Sequence, residues 1–221
     1  MSETFNLRGQ ILAAESLVLD DVAVTASADE LNILDGVTAT AAELNQGADQ
    51  SAQVSMTAGA GVTAVATTIH KVGTQRLGNI IKTEILVDLT DQISNDADAD
   101  IIGTTGVSHF GRVVTATHGT MFAGVMTCLE APTGGEVDIN LYSADEATGV
   151  YAAGGSGIAA LTGEVLVVDS AGDWTLGRSV AAALMPGAND YLYFTVGTAS
   201  TPTAGTYTAG KFLITLYGYD A

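Results

Sequence analysis

From residue 69 onward the chain alternates apolar and polar side chains with a period of two, and short glycine- and proline-rich turns interrupt it at close intervals. That combination suits strands and cannot form a stable helical face. Ile81, Thr83, Ile85, Val87 and Leu89 alternate with Lys82, Glu84, Leu86 and Asp88, while Val137, Ile139 and Leu141 alternate with Asp138, Asn140 and Tyr142. Further strands are expected over 113–117, 165–168, 191–196 and 212–217. Pro132-Thr133-Gly134-Gly135, Ser170-Ala171-Gly172-Asp173 and Pro186-Gly187-Ala188-Asn189-Asp190 supply turn chemistry between them. About seven or eight strands at this spacing predict an antiparallel β-sandwich over 69–221, jelly-roll-like in type.

The N-terminal third reads differently. Val-Thr-Ala-Ser-Ala-Asp-Glu-Leu-Asn at 24–32 returns as Val-Thr-Ala-Thr-Ala-Ala-Glu-Leu-Asn at 37–45. Each copy places a hydroxyl three residues ahead of a glutamate, Ser27 to Glu30 and Thr40 to Glu43. This is the capping-box spacing, which satisfies two orphan backbone donors at a helix start. Asp35-Gly36 and Asn45-Gln46-Gly47 end the helices after a turn or two. Helices this short are marginal alone, so Leu31, Leu34, Val37 and Leu44 need apolar partners, most economically from neighbouring copies of the chain. Residues 24–68 are therefore expected to be a short-helix repeat with a small-residue linker, and residues 1–23 an anchoring arm carrying Phe5, Leu7, Ile11, Leu12 and Leu17.

The run from Ala28 to Asn45 resembles the "TAAELNILDGVTATAAELN" repeats of tailed-bacteriophage structural proteins, both fibres and head-associated proteins. The resemblance covers about 25 of the 221 residues. It implies homotrimeric assembly and no catalytic residues.

Composition narrows the partners. Twenty-five acidic residues face 7 basic ones, a formal net charge of −18, and phosphate recognition rests on Lys and Arg. Nucleic acid and anionic membrane are thus poor partners, although such acidity also serves solubility alone. Cys128 is the only cysteine, so no intrachain disulfide forms; its apolar surroundings predict a buried small hydrophobe. The start of the chain lacks the apolar core of a secretory leader, and no stretch reaches the ~20 apolar residues of a membrane span. Assembly in a host cytoplasm is expected.

Candidate chemistry is sparse. Asp96, Asp98 and Asp100 alternate as in a calcium loop, but Ile101 stands where the EF-hand turn needs glycine, and Val107 where it needs glutamate. A solvated acidic loop is the expected state, with calcium the alternative. His70, His109 and His118 lack zinc-site spacing. Gly154-Gly155-Ser156-Gly157 misses the nucleophile-elbow pattern. Tyr191 and Tyr193 share one strand face, suited to core packing, a subunit seam or glycan stacking. Lys71, Arg76 and Lys82 form a basic cluster, a solvated hinge or a contact for an acidic partner.

These readings lead to the expectation of a non-enzymatic virion structural protein without cofactor: a homotrimeric capsid decoration, cement or head-fibre protein on the outside of the head, partnered with the major capsid protein. A short tail fibre with a receptor-binding β domain is the alternative. A carbohydrate-active enzyme on a jelly-roll scaffold is the third class, for which spacing identifies no paired carboxylates.

Overall fold

The computed structural model describes residues 17–19 and 22–24 as backbone, and 56–64, 70–151, 157–199 and 201–220 in full. The chain divides into two units, residues 1–46 and 47–221. In the first unit β1 (Leu17–Leu19) and β2 (Val22–Val24) pair antiparallel, with Leu17 opposite Val24. The expected arm therefore contains a hairpin that closes one residue beyond its expected end.

The second unit is mainly β. Five strands form one antiparallel sheet in the order β10 (Ser179–Ala181), β7 (Thr120–Thr133), β13 (Ala209–Tyr219), β4 (Ile80–Asp88), β3 (His70–Leu77). A second sheet runs β6 (Gly111–Arg112), β11 (Tyr191–Val196), β8 (Ile139–Ala144), β9 (Val165–Val168). The short pair β5 (Ile93–Ser94) and β12 (Gly205–Thr206) stands apart. Among the described residues the main sheets have five and four strands, a mainly β, sandwich-like arrangement.

Period two explains the faces. Ile85 and Val87 of β4, Met126 and Cys128 of β7 and Phe212, Ile214 and Leu216 of β13 point inward, where they meet Ile139 and Leu141 of β8 and Leu192, Phe194 and Val196 of β11 in one buried cluster. Phe212 is the centre of the seam, its ring 5.5 Å from that of Phe194 and edge-on to Trp174 at 5.3 Å. The Trp174 indole N–H is satisfied by the Ile139 carbonyl at 2.7 Å. Cys128 is fully buried, as expected, with its thiol pushed up in pKa by burial.

Three expectations are corrected. The β-branched run 113–117 is not a strand: α2 (Thr115–His118) turns there, because His118 Nδ1 folds back onto Val114, 2.9 Å from its N and 3.1 Å from its O. Lys71, Arg76 and Lys82 do not sit in a hinge but on the β3–β4 hairpin, where Gly78 (φ 61°) takes the left-handed first position of a two-residue turn. The small-residue tract is not wholly a linker, since residues 56–64, including α1 (Ala60–Thr63), dock Met56 and Val62 into the sandwich core. The second unit begins at residue 47.

The sheets differ on their outer sides. Beneath the four-stranded sheet Tyr193 packs with Ile101, Ala144, Ile158 and Leu161 in a second buried cluster, with Ile101 bridged to Thr195. That sheet is buried on both faces, so β11 reads as a nearly continuous apolar run, whereas β8 carries the buried polar Asn140 and Ser143. Among the described residues no such layer covers the five-stranded sheet.

Candidate functional site

Strand pairing builds the site. Because β6 lies antiparallel to β11 with Arg112 opposite Tyr191, both side chains emerge on one face, and the guanidinium sits 5.4 Å from the Tyr191 ring centroid. Arg112 Nε also donates to the Asn189 carbonyl at 3.0 Å, fixing its direction. His109 packs against the same tyrosine at 4.8 Å and stands edge-on to Tyr193 at 6.1 Å. Residues 56–60 and, from α2, Thr117 and His118 lie beside them. Together these groups line an open cavity of about 630 Å³.

His109 Nδ1 and His118 Nε2 are buried without a hydrogen-bond partner. The lining offers hydroxyls from Thr57, Thr117 and Tyr191, two imidazoles and one guanidinium, and it contains neither carboxylate nor thiol. Such a set binds by stacking and hydrogen bonding. Both histidines stand out in the sequence; Arg112 and the 56–60 wall do not, because only folding brings them to one cavity. Tyr193 is not available to a glycan, as it is fully buried, with its hydroxyl donating to the Glu146 carbonyl at 2.6 Å.

The chain matches no known protein family, no curated protein and no solved structure.

The three carboxylates of the calcium alternative stand in different surroundings. Asp100 is buried and accepts from Asn95 Nδ2 at 2.7 Å, while Asp96 and Asp98 are exposed. Among the described residues no group of three or more His, Cys, Asp or Glu side chains converges to hold a metal ion. The acidity of the chain also proves partly internal. Glu136 accepts the Val137, Asp138 and Thr203 N–H groups at 2.9, 2.8 and 2.6 Å, and Asp138 accepts from Ala199 N at 2.7 Å and from the Ser170 hydroxyl. Asp190 ties Gly187 N and Ser143 Oγ at 2.7 and 2.8 Å. These buried carboxylates organise loops, so the net charge overstates the surface charge.

The caps Ser27, Glu30, Thr40 and Glu43, the apolar Leu31, Leu34, Val37 and Leu44, and the arm residues Phe5, Leu7, Ile11 and Leu12 lie outside the described residues. Leu17 lies in β1.

The histidines carry a pH prediction. His70, His109 and His118 are each held below the ordinary value of 6.5, first by burial, which disfavours the imidazolium; His70 adds to the effect at His109, and backbone hydrogen bonds oppose it at the other two. An unfolded chain thus binds more protons below about pH 6.5, so the stability is complete above that value and is lost as the pH falls toward the folded values. Asp100, raised by burial, works in the opposite sense in a window beginning at 3.8. Melting at about pH 5.5 should therefore occur at a lower temperature than at about pH 7.5, and His118→Gln or His109→Gln should shrink the difference. A melting temperature that holds or rises on acidification to pH 5.5 would refute this assignment.

Proposed function

We propose that the chain is a structural protein of a tailed-bacteriophage virion, a homotrimeric decoration, cement or head-fibre protein on the outside of the capsid and not an enzyme. The doubled capped motif at 24–32 and 37–45 carries the reading. The short helices that its spacing predicts would need partners from other copies, and the motif precedes a sandwich that closes its own core. On this reading residues 1–23 bind the major capsid protein and the sandwich faces outward, in a virion assembled in the host cytoplasm. The internal carboxylate wiring supports the same role, because a rigid loop framework suits a particle exterior.

Electron microscopy of intact particles labelled with an antibody against residues 47–221 tests the proposal. Label spread over the head surface is the expected result. Label confined to the tail tip would transfer the protein to the short tail fibres, with the β domain as adhesin; its absence from particles would end the virion reading.

A further inference from the structure

The outer face of the five-stranded sheet departs from the rule that an uncovered antiparallel face is polar. Register places Leu77 beside Ile80 and Ile80 beside Tyr219, and these side chains are 63%, 37% and 44% exposed. Phe122 joins them, 49% exposed, because a bulge between Tyr217 and Gly218 skips it from the ladder between β7 and β13 and turns it outward. Its ring lies 6.4 and 6.3 Å from those of Tyr217 and Tyr219. Leu86, Leu213 and Val125, all half-buried, continue the apolar surface toward the middle of the sheet.

Charge on this face differs from charge on the chain. Lys71, Lys82 and Lys211 point outward and are matched by Glu84, Asp88 and Glu130. Lys82 pairs with Glu84 at 2.7 Å, and Lys211 pairs with Glu130 and, at 3.4 Å, with Asp88. A face with no net charge on a chain of −18 is where a second acidic molecule can approach without repulsion. A basic partner would instead be drawn to the acidic remainder, and an anionic membrane would be repelled by it.

We infer that this face packs against a second copy of the chain. A neutral, apolar patch is complementary to itself, and near one end of the sheet it can serve a twofold or a threefold axis. Five strands ~4.8 Å apart and ~9 residues long make a face of roughly 24 by 30 Å, close to the ~800 Å² per partner of a stable interface. The contact is face to face, because Lys71 and Arg76 guard the outer edge of β3 against strand addition. The inference rests on the homotrimer part of the proposed function and is independent of where in the virion the protein sits.

Sedimentation of the full-length chain across a concentration series tests it, comparing the parent with Phe122→Glu/Tyr219→Glu, with Leu31→Asp/Leu44→Asp and with Val150→Glu, an exposed residue bridged to Val107 outside the five-stranded sheet. Aromatic anchors at interface centres dominate affinity. The midpoint of dissociation should therefore move at least about 100-fold higher in the first variant and not at all in the last. If charge at these positions prevents folding, judged by circular dichroism, Phe122→Ser/Tyr219→Ser carries the same comparison. Assembly that weakens only in the repeat variant would overturn the face and leave the repeat-driven trimer standing; weakening only in the face variant does the reverse. A monomeric parent at about 100 µM overturns both. Unchanged mass together with lost capsid binding would overturn self-association and reassign the face to the shell.

Discussion

Deleting residues 1–24, which removes the arm and all of the β1–β2 hairpin, is expected to abolish binding to capsids that lack the protein while leaving the 47–221 unit folded. On the proposed trimer three arms would act through linked binding, which multiplies affinity by about 10²–10⁴ over one arm, so their joint loss should be all or nothing at micromolar protein. Cosedimentation with stripped particles measures it. Full occupancy by the truncated protein would place the anchor elsewhere, with the basic residues of the β3–β4 hairpin next in line. The truncation should start no later than residue 47, because Met56 and Val62 belong to the sandwich core and a fragment cut at 69 would lose both.

Phe212→Ala should destabilise the sandwich by about 3–5 kcal/mol, the usual cost of emptying a buried phenylalanine site. Phe212 of β13 is fully buried and meets, edge-on, Phe194 of the facing sheet and Trp174, whose indole is bonded to Ile139 of that same sheet, so its removal empties a site between the two layers. In a unit of this size that loss lowers the melting temperature by roughly 6–20 °C. Differential scanning calorimetry at pH 7.5, above the histidine window, isolates the effect. A drop below about 3 °C would mean that the seam between the sheets does not depend on this ring.

Both expectations draw on strand assignments that were partly readable beforehand. Periodicity located β4 and β8, since alternation records which side chains turn inward whatever the partner strand, while apolar runs located β9, β11 and β13 and the buried state of Cys128. It failed for β7, the longest strand, where Phe122 and Leu129 interrupt the alternation at bulges, and for β3, whose Lys71, Gly73 and Arg76 suit an edge strand but give no apolar rhythm. It also took 113–117 for a strand, because β-branching is a weak preference that a histidine folding back onto Val114 overrides.

What the amino-acid order determined by itself is local: the mainly β character of the second unit, the faces of its regular strands, the turns between them and the doubled capping motif. Tertiary structure alone decided the rest. Pairing of β7 with β13 and of β6 with β11 joins segments about eighty residues apart, and no local pattern encodes such partners. Those pairings bring Arg112, Tyr191 and His109 to one cavity and turn Glu136 and Asp138 from apparent surface acids into buried loop anchors. They also leave an apolar end, formed by Leu77, Ile80, Phe122 and Tyr219, exposed on the outer face of the five-stranded sheet. Side-chain alternation depends only on the pleat of one strand, whereas layering depends on which distant strands exclude water from each other.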